Sequence, residues 1–421
     1  MNATTASLVA RIVSTSLQAV TLIVMRQVHS SELQAQFFAI QTVLGLQFLA
    51  EFGAGQAMLQ RLRASRNSLD RDEAIGFYAR YSVLAGLAFV VLIAVVWLSV
   101  YDVKFAASGL QIGTLCVAGS LRLACVFLEV YIEGTERVAD AYRVRLLSVI
   151  TSQAAMLVAM ILTSPAWALI DSALAYSLTT LLLRAPDVRT FFGHASRQWT
   201  PPSRPDARLR TGTGTKFQVA LMLSSACGYV IFSGPVIFAS LILVPAQVAE
   251  VGTAMLVASV ASSLCGAVVA PRVVQITDAV LKGQHAIATR VENQLILVSA
   301  VFFVASIVGL IVVDKLQLKL LPPWSELMVS MIGYFCFTIG LIFSFALRAE
   351  GRDRMLVPSL MAAAGFVGMS LLALAARGHT ITPLAVFTLT QILIFLPAAW
   401  LQKKRTMSKA GQIDSTATVI R

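Results

Sequence analysis

Two ionisable side chains interrupt a run that otherwise reads as lipid-facing. Residues 119–134, GSLRLACVFLEVYIEG, place Arg122 just past the middle of an expected membrane helix, and Glu129 follows seven residues later. A full charge at the bilayer centre costs about 2.5–3.5 kcal/mol on insertion scales, so an arginine kept there has something to hold. The two groups share nearly one helix face but lie roughly 10 Å apart along the axis, too far for a comfortable pair within the helix. Each is therefore expected to face a cavity or a partner on another helix. For Arg122 two roles compete, a salt bridge that locks helices together and an anion site in a transport pathway. The anion site is favoured because intramembrane arginines mark pathways. For Glu129, close to a helix end, snorkelling to the interface is the alternative.

The remaining intramembrane charges read less sharply. Arg11 is one turn into the first apolar run, where snorkelling competes with a cavity role. Asp171, in the sixth run, could pair with Arg122 or a first-span residue, or bind a coupling cation or proton. Glu51 sits near a helix end, where it could reach water or bond basic residues of the following loop. A structural role comes first for it. Gly53 and Gly55, in EFGAG, permit close helix approach or a local bend, so helix packing and gating compete there. The corresponding runs of the second half carry fewer charges, which leaves them to offer an apolar and aromatic groove for lipid.

Nothing else has the spacing of a reactive centre. The five cysteines fall inside apolar runs at unrelated intervals, and the four histidines are isolated, so neither disulfides nor a metal site is expected. The segment GTGTK, ending at Lys216, lacks the spacing of a phosphate-binding loop and is followed by Phe217. No nucleophile or paired carboxylates stand on a sizeable loop. Neither an enzyme nor a cofactor is expected.

The elements that must position Arg122 follow from composition. The chain is 57% hydrophobic and 13% charged, with a mean hydropathy of +0.78. That balance belongs to a membrane protein, and continuous rather than alternating apolar runs mean helices. About a dozen runs approach the roughly 20 residues needed to cross hydrocarbon: 8–28, 33–56, 81–101, 107–131, 144–163, 166–185, 217–241, 246–270, 294–313, 326–347, 355–376 and 381–401. Most of the 33 Lys and Arg fall on one side of this pattern, which places both termini in the cytoplasm. The net charge of +12 is thus a topology signal. The arginines are scattered over many segments, so no nucleic-acid partner is implied.

The chain also divides. EGTER at 133–137 and EGRDR at 350–354 follow the fourth and tenth runs, consistent with a parallel six-plus-six repeat. The expected organisation is an all-α integral membrane protein of about 12 helices in two six-helix lobes. The N-terminal lobe covers 1–186 and a Pro- and Arg-rich cytoplasmic linker covers 187–216. The C-terminal lobe covers 217–402, with a cytoplasmic tail at 403–421. Two such lobes meeting at a cleft form a transporter architecture, with substrate held near the midplane.

On these residues the chain resembles the Wzx-type polysaccharide flippases of the MOP exporter superfamily. The resemblance rests on FLAEFGAGQAMLQRLRASR, residues 48–66. Glu51, Phe52, Gly53 and Gly55 match an acidic–apolar–glycine pattern there, and Arg61 and Arg63 open a basic elbow. Pro271 and Arg272, in APRVVQITDAVLKGQ, resemble the corresponding exit from the eighth span. The resemblance implies a multi-pass protein of the cell inner membrane. It would carry polyprenyl-diphosphate-linked oligosaccharide from the cytoplasmic to the outer leaflet, with other polysaccharide-assembly membrane proteins as partners. It also implies a cationic cavity, which agrees with Arg122. A MATE-type drug/cation antiporter is the alternative. Those relatives are expected to carry a buried acid in the first span, and residues 8–28 contain none. From another class, a membrane glycosyltransferase or polymerase would need catalytic groups on larger outer loops.

Overall fold

The structure is a computed structural model describing residues 3–51, 53–64, 68–101, 108–135, 137–197, 205–269, 272–316, 321–348, 354–375 and 382–405. Among these residues the regular elements are all helices. Eleven of them are long and apolar enough to cross a membrane, which makes this a multi-pass membrane protein. The expected first span, α1 (Ala3–Val28), is 26 residues long, and its described apolar stretch is Ile12–Val28.

The chain forms two compact units. The first takes in the helices through Tyr229 together with Leu243–Ala249, and the second takes in Val230–Ile242 and the described chain from Glu250 onward. The first unit contains α1, α2 (Ser31–Leu44), α3 (Gln47–Glu51), α4 (Ala54–Ala64), α5 (Ser68–Val96), α6 (Gly109–Gly134), α7 (Val138–Leu162), α8 (Pro165–Leu183) and α9 (Ala185–Arg197). Helix α10 (Pro205–Ile242) contributes to both units. The second continues with α11 (Pro245–Val269), α12 (Val273–Leu281), α13 (His285–Lys315), α14 (Trp324–Arg348), α15 (Leu356–Ala375) and α16 (Pro383–Thr390), which passes into a π-helical turn, Gln391–Phe395.

The order of elements repeats. In each unit the second spanning helix is followed by a short elbow helix, α4 or α12, before a long third span, α5 or α13. The start of the third helix is also tied to the far end of the chain segment in both. Asp72 lies 3.4 Å from His194 in the first unit, and Glu292 is ion-paired with Lys403 in the second. Parts of the two sequence copies that suggested the repeat, residues 136 and 350–353, lie outside the described residues.

Local chemistry starts and stops these helices. Ser30 caps α2, Ser108 forms a capping box with Gln111 at α6, and Ser164 caps α8 with Pro165 in its first turn. Serine there accepts otherwise orphaned backbone amides, and proline has no amide to leave unpaired. The continuous span expected at 33–56 is instead broken twice, after Leu44 and at Gly53. Gly53 has φ +64°, and a Cβ added to it would stand 2.7 Å from Leu221 Cβ. Glycine is required there by both conformation and space.

Two expected boundaries move. The third span starts at Ser68 rather than 81, because its first turns pack on α9 and form polar contacts with two helices: Arg71 donates to Gly134 O at the end of α6, and Asp72 meets His194 on α9. The linker expected over 187–216 is helical over Ala185–Arg197. Phe191 anchors that helix, fully buried with its ring 5.4 Å from Tyr131. The outer faces of the spans carry large exposed apolar side chains, such as Leu84, Leu87 and Val91 on α5 and Leu297, Val301 and Val304 on α13. Exposed apolar stripes of this kind suit a lipid solvent rather than water.

Candidate functional site

The intramembrane charges of α6 meet side chains of α7 and α8. Arg122 is half-buried, and its guanidinium carbon lies 5.4 Å from the centre of the Tyr176 ring on α8. That is the geometry of a cation–π contact. Tyr176 is buried and its hydroxyl donates to Glu129 Oε1. The other carboxylate oxygen, Oε2, accepts from Arg145 Nε on α7 at 2.8 Å. One tyrosine therefore links the two charges that were expected to face separate partners.

This arrangement settles which charge is compensated. Glu129 is almost fully buried, at 2% exposure, and both of its oxygens are occupied. It pairs with Arg145, neither snorkelling to an interface nor bonding Arg122 directly. Arg122 has no ion pair or hydrogen bond among the described residues. Two arginines and one carboxylate thus leave the cluster with one net positive charge, held at Arg122. A charged group left unpaired in an apolar surrounding is costly, and the ring face offsets only part of that cost.

Helix pairing holds the cluster in place. Between α7 and α8, Ser148 Oγ and Thr180 Oγ1, Thr151 Oγ1 and Thr179 Oγ1, and Ser152 Oγ and Ser172 Oγ each lie 2.8 Å apart. On the α6 side, Cys125 Sγ is 3.7 Å from Ser177 O, one residue from Tyr176. Small polar side chains of this kind let membrane helices approach closely and bond across the seam. They fix the rotation of α8 that aims Tyr176 at α6.

Where the α6–α7 turn meets the start of α9, Arg137 Nη2 is 2.6 Å from Asp187 Oδ1, and Arg184 approaches Asp140 at 3.5 Å and Asp187 at 3.7 Å. The hydrogen bond to Asp187 pushes the Arg137 guanidinium above its ordinary pKa. Part of the basic charge that served as a topology signal is therefore matched by acids.

The other expected residues stand apart from this cluster. Asp171, on α8, is half-buried and has no hydrogen-bond or ion-pair partner among the described residues, so it does not pair with Arg122. Glu51 ends α3 and its carboxylate accepts the backbone amide of Gly55, a capping contact at the start of α4. Gly55 is buried so close to that carboxylate that an added Cβ would lie 2.5 Å from Glu51 Oε1. The side chain of Arg11 lies outside the described residues, as does Phe52.

Sequence reasoning missed Tyr176 and Arg145. Arg145 lies at the very start of the expected span 144–163, and Tyr176 lies in an apolar run. A buried glutamate on α6 needs a cation and a donor, and that need was the signal that could have prompted a search for both.

No known family profile matches the chain, and no curated protein matches it. Solved structures do. The chain is similar to an outward-facing multidrug resistance MATE family transporter of the MOP superfamily, at 13% identity and a TM-score of 0.62, covering 97% of this chain and 96% of that one. A MOP superfamily transporter from Pyrococcus furiosus gives 13% identity and a TM-score of 0.57 over 97% and 96%. The eukaryotic MATE transporter AtDTX14 gives 14% and 0.54 over 96% and 97%. This protein has the MATE-like fold of MOP-superfamily transporters over nearly its whole length.

Proposed function

We propose that the protein is a membrane transporter that flips polyprenyl-diphosphate-linked oligosaccharide from the cytoplasmic to the outer leaflet by alternating access. Arg122 would engage the diphosphate or an acidic sugar while the prenyl tail stays in lipid. One observation carries this reading: Arg122 is an intramembrane arginine whose neighbouring acid is already neutralised by Arg145. A cation left without an acidic partner in a transport fold is suited to an anionic cargo. Gly53, at the break between α3 and α4, would serve gating, and Asp171 would serve ion coupling. The site in this reading is in the inner membrane, with both termini cytoplasmic and polysaccharide-assembly membrane proteins as neighbours.

The fold itself favours a second reading, a MATE-type drug/cation antiporter. Helix α1 has no acidic residue to bind a coupling ion, and the uncompensated charge is positive, which suits a cationic drug poorly. The Pyrococcus furiosus structure is described by a reverse polarity of its binding pocket that suggests a different function, so the fold accommodates pockets of more than one polarity.

The test is the level of lipid-linked oligosaccharide in a deletion strain complemented with wild type or Arg122→Ala. Accumulation in the cytoplasmic leaflet that only wild type relieves is the expected result. Normal lipid-linked sugars, together with altered sensitivity to cationic drugs, would move the protein to the antiporter reading.

A further inference from the structure

We propose that Tyr176 is a positioning residue that keeps Arg122 available to an anion by standing between it and Glu129. The inference rests on the reading of Arg122 as the anion site. Arg122 and Glu129 share nearly one face of α6, and helical side chains lean toward the N-terminus, so Glu129 leans toward the Arg122 turn. In that space the structure places the Tyr176 ring, its face under the Arg122 guanidinium and its hydroxyl on Glu129 Oε1. Arg145 holds Oε2. The carboxylate therefore has no bare oxygen to offer Arg122, and the arginine rests on an aromatic face. A ring face attracts a cation without neutralising it, so an incoming phosphate oxygen meets a full positive charge.

Removing Tyr176 changes both conditions. It uncovers Oε1 and leaves a polar cavity that water can fill, since such a cavity stays wet where polar groups line it. Arg122 is then drawn to Glu129, directly or through that water, so the two arginines share the carboxylate and the net positive charge no longer rests on Arg122 alone. Tyr176 also joins α6 to α8, and a purely structural role would predict loss of binding from the same substitution. What separates the two is Glu129. If Tyr176 acts by insulating Arg122, neutralising Glu129 must restore what the tyrosine substitution removed.

The experiment measures binding of a polyprenyl diphosphate to the full-length protein in nanodiscs, with the polyprenol as blank, for wild type, Tyr176→Ala, Glu129→Gln and the double variant. Tyr176→Ala is expected to weaken binding about tenfold, equivalent to the loss of one good ionic contact. The double variant is expected to return to within about threefold of wild type, a non-additive cycle in which Glu129→Gln helps far more without the tyrosine than with it. Strictly additive effects, or wild-type binding by Tyr176→Ala, overturn the proposal. Should the alanine variant fail to fold, Tyr176→Leu supports the same cycle, because leucine fills volume but neither bonds Glu129 nor offers a ring. Arg122→Ala tests the underlying reading separately. If it binds like wild type, the anion site fails. If it abolishes binding while the tyrosine cycle is additive, only the insulating role fails.

Discussion

Arg145 Nε and Glu129 Oε2 lie 2.8 Å apart across the α6–α7 pair, with Glu129 almost completely buried. This contact makes Arg122, rather than the whole cluster, the bearer of the net charge. It also sets the stability expected of the site.

Replacing Arg145 by Ala leaves the buried carboxylate with the Tyr176 hydroxyl alone. Breaking a buried pair typically costs 3–5 kcal/mol, and partial exposure of Arg145 puts the expected loss at the low end, about 3 kcal/mol. A thermal melt of the detergent-solubilised protein checks it. Glu129→Gln in the same background should recover most of the loss.

Lys403→Ala should be the more damaging change. Glu292 is fully buried and bonds Lys403 through one oxygen, while its other oxygen, Oε1, has no partner. Glu129 keeps a second donor when its cation is removed, and Glu292 keeps none. The expected cost is therefore toward the upper end, about 5 kcal/mol. A melting point no lower than that of Arg145→Ala would contradict this ranking.

Gly53→Ala forces a Cβ into the left-handed region, 2.7 Å from Leu221 Cβ. The conformational part alone is about 1–2 kcal/mol, and the clash adds to it. Melting should show a clear drop, whereas Gly113→Ala, at a glycine where an added Cβ has open space around it, should lie within about 0.5 kcal/mol of wild type or above it.

The hydroxyl seam is expected to contribute little per bond. A double-mutant cycle on Ser152 and Ser172, whose oxygens lie 2.8 Å apart, should return a coupling of about 0.6 kcal/mol, the average for such pairs in membranes. A coupling of several kcal/mol would show that the seam carries much of the α7–α8 association.

Asp171→Asn removes a charge that has no partner among the described residues, so stability should change by less than about 0.5 kcal/mol. With Asp171 as the coupling group, gradient-driven transport in proteoliposomes is lost while equilibrium binding of the polyprenyl diphosphate is kept. Full transport by the variant would remove Asp171 from the coupling role.

The helical membrane character of the chain was legible from its residues because its causes are local. A run of about 20 apolar residues has one way to satisfy its backbone in lipid, wherever it sits in the chain. Capping is local as well, and Ser164 with Pro165 marks the start of α8 in the sequence itself. The break at Gly53 was only half legible. EFGAG announced small residues, but the contact that requires glycine comes from Leu221, far along the chain.

Arg122 stood out in the sequence because a charge in an apolar run is conspicuous without any structure. Whether that charge was spent or free was decided by packing, since the answer depends on Arg145 from α7 and Tyr176 from α8 reaching the same carboxylate. The length of the apolar runs fixes which stretches become membrane helices. It carries no record of which side chains on separate helices converge, and electrostatic compensation depends on distances of a few ångströms between them.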